Sequence, residues 1–219
     1  MRAFDIFFSF VFLLVLFPAL LLICFFLRLS GEGEVFFSQL RIGLNGKAFY
    51  VYKFATMLKN SPNMGTKTLT TLDDSRILPF GKFLRKTKLN EIPQLFNILN
   101  GDMSIVGPRP LTEQSRIFYS KRALNKINKL KPGLTGLGSL FFRHEELMLS
   151  NNPNLAMNVY QKKISPIKSE LEIWYFSNRN FSLDIKIIFL TILLIFVKKN
   201  NLIFKLIPNL PAITYSLKS

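Results

Sequence analysis

A set of residue types suited to phosphate chemistry lies between residues 85 and 110. The cations Arg85, Lys86 and Lys88 run directly into Asn90-Glu91-Ile92-Pro93, where a short helix is expected. Leu89, Ile92, Leu95, Phe96 and Leu99 fall at helical spacing and share one face. Pro93 is tolerated only in a first turn, because deeper in the helix its ring would meet the carbonyl four residues back. The helix is therefore expected to start at Asn90, with Asn90 as N-cap and Glu91 in the first turn. Gly101 closes it, and Asp102 reads as a polar residue satisfying the turn that follows. Gly107-Pro108-Arg109-Pro110 comes next as a loop stiffened on both sides of Arg109, which fixes the direction of one guanidinium. A helix N-terminus preceded by cations and followed by a rigid arginine is a site for phosphate.

The elements that must carry this site belong to a basic, apolar chain of 219 residues. It has 29 Lys and Arg against 13 Asp and Glu, a net charge of +16, and 49% hydrophobic residues. That balance points to anionic lipid headgroups or phosphorylated substrates. Nucleic acid is the other usual partner of such charge, but no zinc-ligand spacing, RNP-like strand or basic zipper supports it. A lone cysteine, Cys24, excludes an intramolecular disulfide, and a lone histidine, His144, cannot build a histidine-based metal site. His144 reads as a polar surface residue.

Residues 4–27 are apolar apart from Asp5, Ser9 and Pro18, long enough to span a bilayer and too long for a signal peptide without a cleavage site. Two topologies follow: a single pass with a mild kink at Pro18, or a re-entrant helix whose break at Pro18 returns the chain to the side it entered. Arg2 and Arg28 bracket the run symmetrically, which fits both ends staying on one side. Val35 to Gln39 and Phe49 to Lys53 read as strands of a hairpin turning at Asn45-Gly46. Residues 59–76 are polar and read as a mobile loop, with Asp73-Asp74-Ser75-Arg76 leading back to the motif. From Arg76 to Lys88 the chain is basic and without an acid, suited to a membrane interface. Residues 113–131 are expected as one helix with Ile117, Leu124, Ile127 and Leu130 on one side and cations around the rest. That cationic face is either solvated or adsorbed onto anionic lipid. A helix over 160–179 carries Trp174 and Tyr175. The apolar stretch 185–197, ended by Lys198 and Lys199, is too short to span and fits a buried or membrane-lying helix.

The run from Arg85 through Asn90-Glu91-Ile92-Pro93-Gln94-Leu95, Asn97, Gly101-Asp102-Met103-Ser104 and Gly107-Pro108-Arg109-Pro110 resembles the bacterial sugar transferase family, the monotopic polyprenyl-phosphate phosphoglycosyl transferases. Phe4-Asp5 with Pro18, the section Val35 to Met57 including Tyr52-Lys53-Phe54, and Lys131-Pro132-Gly133-Leu134-Thr135-Gly136 are similar to that family as well. Ala55 stands where the family has a cation. Beyond Gly136 the likeness weakens: Gly138-Ser139-Leu140-Phe141-Phe142-Arg143-His144-Glu145-Glu146 replaces the expected Trp-Gln and Gly-Arg, which leaves the sugar open.

The resemblance implies an α+β fold: a re-entrant membrane helix (1–29) broken at Pro18, then a small, mostly helical cytoplasmic domain (30–199) with a short β-hairpin and interfacial amphipathic helices, then a tail (200–219). It implies transfer of a phosphosugar from a UDP-sugar to polyprenyl (undecaprenyl) phosphate at the cytoplasmic face of the bacterial inner membrane, starting a surface glycan. UDP-sugar, polyprenyl phosphate and membrane lipid are the implied partners, with a homo-oligomer left open and nucleic acid excluded. Lys53, Arg85 and Arg109 match positions used around phosphate, although Lys53 reads equally as a solvated strand lysine. Glu91 is the candidate ligand for Mg2+. The family's nucleophilic aspartate stands here as Asn90, whose neutral carboxamide cannot attack phosphorus. Three readings result: an impaired homologue serving as a scaffold, a nucleophile moved to Glu91 or Asp102, or direct attack by polyprenyl phosphate with Asn90 orienting the diphosphate.

Overall fold

The computed structural model describes residues 2–65, 69–71, 74–197 and 201–217. Asp73, Lys198, Lys199 and the expected domain boundary at 199/200 lie outside them.

Helix α1 (Arg2–Leu29) is long and apolar enough to cross a membrane by length and composition. It is helical without interruption through Pro18, so the expected break is not an interruption of the helix at that residue. One side of α1 lies on the rest of the protein from end to end. Arg2 donates to the carbonyl oxygens of Ile98 and Leu99. Buried Asp5 accepts from Ser104 Oγ at 2.9 Å and from the Ile105 N–H at 3.1 Å. Leu13 packs with Val51, Leu95 and Ile98, while Ile23 and Leu27 pack with Phe54 and Leu84. The opposite side exposes Phe7, Phe10, Leu14, Phe17, Leu21 and Phe25.

Strands β1 (Phe36–Ile42) and β2 (Ala48–Phe54) form the expected antiparallel hairpin, pairing Phe36 with Phe54 and Ile42 with Ala48. Asn45 and Gly46 supply the two left-handed residues of its turn (φ 56° and 73°). Helix α2 (Pro79–Lys86) follows the polar loop. Arg76, expected at an interface, is instead buried against Asp74 and donates to the carbonyls of Ser61, Met64 and Leu69. It holds the loop together from inside.

The motif helix differs from expectation in its start. Leu89–Glu91 is a 3-10 turn entered through Lys88 at φ 62°, and helix α3 (Gln94–Asn100) begins only after Pro93. The left-handed Lys88 and the i→i−3 bonds from the Glu91 and Ile92 N–H groups to the Lys88 and Leu89 carbonyls close a tighter turn there first. Asn90 therefore caps nothing. Gly101 closes α3 at φ 94° as expected, its N–H reaching the Asn97 and Ile98 carbonyls. The buried face is also displaced: Phe96 is 49% exposed, whereas Asn97 and Ile98 are fully buried. Asn97 Nδ2 donates to the Tyr50 carbonyl at 2.7 Å and its Oδ1 accepts from the Tyr52 N–H at 3.0 Å. A polar side chain thus satisfies two backbone groups of β2 and fixes α3 to it.

Strand β3 (Ser104–Val106) pairs in parallel with β4 (Gly133–Thr135), joining the arginine loop to the later glycine turn. A Cβ on Gly107, Gly133 or Gly136 would lie 2.1–2.4 Å from a backbone atom of the facing segment, so no larger residue fits. The single helix expected over 113–131 is two: α4 (Glu113–Arg116) and α5 (Lys121–Ile127). Ser120 ends the run by accepting from the Ala123 N–H as N-cap of α5, and Ile117 is left 75% exposed. Helix α6 (Leu137–Phe141) leads to α7 (Pro153–Val159), a π-helical turn at Tyr160–Ile164, and α8 (Ser165–Asn178). Helix α9 (Phe181–Phe196) is longer than its apolar stretch. It buries Leu183, Ile187, Leu190 and Leu194 and exposes Ile185, Phe189, Ile192 and Ile195. Helix α10 (Asn201–Leu206) lies within the expected tail, yet Ile203, Ile207 and Leu210 are buried in the main core.

Candidate active site

The hairpin, the 3-10 turn and the arginine loop bring three of the expected residues into one contact. Glu91 Oε1 receives Lys53 Nζ at 3.2 Å and Arg109 Nη2 at 3.0 Å. Lys53 and Glu91 keep only 16% and 15% of their side chains exposed, so Lys53 is not a solvated strand lysine. Both ion pairs use Oε1, which leaves Oε2 for another cation. Burial raises the Glu91 carboxyl, but Arg109, Lys53 and Lys88 outweigh it and hold the group well below the usual carboxylate range.

Arg109 is placed by backbone geometry on both sides of its loop. The Gly133 N–H donates to the Pro108 carbonyl and the Gly107 N–H to the Thr135 carbonyl, each at 2.9 Å. Arg41 of β1 donates to the Pro110 carbonyl at 2.9 Å. Sequence reading missed Arg41 as a site residue, since an arginine at a strand end carries no motif. Lys88, one of the cations ahead of the motif, has a left-handed backbone that turns Nζ to the Arg143 carbonyl at 3.3 Å, beside Glu91. Arg85 does not join Glu91. It donates to Thr70 Oγ1 at 2.7 Å and Thr56 Oγ1 at 3.4 Å, on the same cleft. His144 is a half-exposed surface residue, 3.5 Å from Glu146.

All these cations line a cleft of about 830 Å3, whose apolar side is formed by Phe12 and Leu16 of α1 with Ile188, Ile192 and Ile195 of α9. Asn90 lines it too. Its residue is 7% exposed and its Oδ1 is buried with no hydrogen-bond partner. An orphaned buried oxygen costs free energy unless a ligand satisfies it. Asp102 is not on the cleft wall, its N–H held by the Asn97 carbonyl. Among the described residues, the cleft carboxylates Glu34, Glu91, Glu145 and Glu146 are all paired, with Lys59, Lys53 and Arg109, Lys168, and His144 respectively.

Among the described residues no three histidine, cysteine or carboxylate side chains gather as a metal cage. The donor set still fits Mg2+, which prefers few protein oxygens and completes its shell with water and substrate phosphate. Glu91 and the unpartnered Asn90 Oδ1 are the oxygens suited to it.

The pocket lowers the charge of one of its own cations. Burial pulls the Lys53 ammonium down to about 7; Glu91 opposes the fall, and Arg109 and Arg41 add to it. A bound diphosphate favours the charged form, so binding should take up protons above pH 7. Affinity should then fall as pH rises from 7 to 8.5, by up to about tenfold per unit. Calorimetric titration with UDP at pH 7.5, in buffers of different ionisation enthalpy, measures the uptake. Uptake that persists undiminished in Lys53→Met would assign it elsewhere.

The family model for bacterial sugar transferases matches residues 1–198. The chain is 38% identical over 182 residues to the UDP-glucose:undecaprenyl-phosphate glucose-1-phosphate transferase of Xanthomonas campestris pv. campestris, covering 82% of this chain and 35% of that protein. It is 37% identical over 202 residues to the transferase of the same name from Escherichia coli (strain K12), covering 90% of this chain and 40% of that protein. With the uncharacterized sugar transferase EpsL of Bacillus subtilis (strain 168) it shares 36% identity over 165 residues, 75% of this chain and 71% of that protein. The match thus spans little more than a third of the two glucose-1-phosphate transferases. With residues 1–198 accounted for by one model, and with the arginine loop, hairpin lysine and motif glutamate meeting in one cleft, this chain belongs to the bacterial sugar transferase family.

Proposed function

We propose that this protein transfers a phosphosugar from a UDP-sugar to polyprenyl phosphate at a membrane surface, starting a glycan such as O-antigen, capsule or exopolysaccharide. The observation that carries this reading is the meeting of Lys53, Glu91 and Arg109 in a cleft whose other side is apolar and continuous with the exposed faces of α1 and α9. An anionic head and a hydrocarbon tail need those two surroundings side by side. The relatives named as UDP-glucose:undecaprenyl-phosphate transferases support both substrates.

Asn90 argues for a single displacement. With the described cleft carboxylates all paired, an oxygen of polyprenyl phosphate attacks the β-phosphorus of the UDP-sugar. The bond from that phosphorus to the bridging oxygen breaks, and UMP leaves with the oxygen. The attacking oxygen is already anionic, so no proton need move. Arg109, Lys53 and Arg85 hold the phosphates in line and offset the charge that spreads over them. Glu91 and Asn90 would hold Mg2+, which when bound neutralises the diphosphate. Asn90 also supports a second reading, an impaired homologue that binds and does not turn over. Measuring UMP release from a panel of UDP-sugars, with polyprenyl phosphate and magnesium, separates them. Release that requires the acceptor is expected; a protein that binds UDP-sugar without releasing UMP would be the scaffold.

Both ends of α1 are proposed to lie on the cytoplasmic side, with residues 30–199 as the catalytic domain on the inner membrane. The support is that Arg2, Asp5, Ile23 and Leu27 all pack on the same body, so α1 lies along that body over its whole length, whereas a spanning helix would meet lipid on every side through the bilayer. Cysteines substituted at positions 2 and 30 should both be labelled from the cytoplasm only. Labelling of position 2 from the outer side would establish a true span.

A further inference from the structure

The cleft is far larger than a diphosphate, and a second polar wall stands in it beyond the phosphate-binding cations. Tyr119, Ser139, Glu145, Tyr160 and Lys168 line that wall. Tyr160 opens the π-helical turn between α7 and α8, a device that re-aims side chains and recurs at functional sites. Lys168, almost fully buried, is paired with Glu145 Oε2 and lies 5.2 Å and 5.3 Å from the ring centres of Phe142 and Tyr160. A buried ion pair gains little stability over an apolar pair of the same volume, because desolvation offsets the attraction. On a cavity wall the same pair sets a carboxylate acceptor beside an ammonium donor, the combination that adjacent ring hydroxyls require. The aromatic rings here are buried and turned toward Lys168, so they offer no open face on which a base could stack. The wall adjoins the phosphate end, since Glu145 and Tyr160 both act electrostatically on Arg109.

We infer that Glu145, Lys168 and Tyr160 form the subsite that reads the hydroxyl pattern of the hexose carried on the donor's β-phosphate. This rests on the UDP-sugar reading above. It also places specificity in the stretch 138–146, where the chain departs from its family's pattern.

Calorimetric binding of UDP, UDP-glucose, UDP-galactose and UDP-N-acetylglucosamine tests it on wild type, Glu145→Gln and Tyr160→Phe. Tyr160→Phe removes one hydroxyl only and keeps the ring in the core. Wild type should discriminate among the three sugars by tenfold or more. Both variants should reduce that ratio at least threefold while binding UDP within twofold of wild type. An unchanged ratio, or a wild type without discrimination, would overturn the inference. Equal loss of UDP binding would assign the wall to the ribose diol and overturn it too. Discrimination that collapses as expected, in a protein that releases no UMP, would uphold the subsite and remove the transferase reading instead.

Discussion

Replacing Arg109 with alanine should lower kcat/KM for UMP release about 30- to 1,000-fold and leave the protein folded. The guanidinium is the cation shared between the motif carboxylate and the open cleft: its Nη2 is 3.0 Å from Glu91 Oε1, and its side chain is still 39% exposed. A charge-assisted contact to transferring phosphate contributes on the order of 2–4 kcal/mol to the transition state. The fold should survive because the loop is fixed by backbone bonds, Gly107 to Thr135 and Gly133 to Pro108, which the substitution leaves alone. Glu91 also retains Lys53. Arg109→Lys keeps the charge without the planar fork and should fall between the two. Steady-state UMP release with thermal melting checks both, and wild-type rates in Arg109→Ala would take Arg109 out of the site.

Asn90→Asp should give no gain in turnover, and a loss is expected. In a covalent route through this position the protein as written is nearly inactive, and the aspartate would restore UMP release together with a phosphosugar adduct visible by intact mass. In a direct displacement the new charge sits beside Glu91 and faces an anionic diphosphate, which weakens binding by like-charge repulsion. The second outcome is favoured because the cations have stayed assembled around Glu91. Glu91 itself is a poor substitute nucleophile, because the two cations that hold its carboxylate draw on its charge and lower its basicity. Asp102 stands off the cleft. Acceptor dependence supplies an independent readout: single displacement releases no UMP until polyprenyl phosphate is added. An inactive wild type beside an active, adduct-forming Asn90→Asp would reverse this conclusion.

Much of the architecture follows from local rules that need no knowledge of distant residues. The hairpin was readable from Asn45-Gly46 between two apolar runs, because left-handed backbone there is a property of those residue types. The stop of α3 at Gly101 and the stiffness around Arg109 are likewise local. The length and apolarity of α1 are set by composition alone. Where expectation failed, a distant partner or a neighbour's backbone had intervened. Asn90 lost its capping role because the left-handed turn at Lys88 places it inside the 3-10 turn and not ahead of a helix. Phe96 and Asn97 exchanged their expected environments because the backbone of β2 offered Asn97 two bonds. Arg76 went inside because Asp74 and three carbonyls were there to receive it.

The candidate site divides in the same way. Sequence determined which residues could serve phosphate, since a lysine on a hairpin, a glutamate before a proline and an arginine between prolines are each visible one by one. Only the tertiary structure decided that Lys53, Glu91 and Arg109 touch, that Arg41 and Lys88 join them while Arg85 stands apart on its threonines, and that Asn90 lines the cleft with its oxygen buried and unsatisfied. The physical reason is that a charge's role depends on what surrounds it once water is removed. That surrounding is assembled here from α1, the hairpin, the 3-10 turn, the arginine loop, α6, α8 and α9, with Phe12 lying 183 positions from Ile195 in the chain.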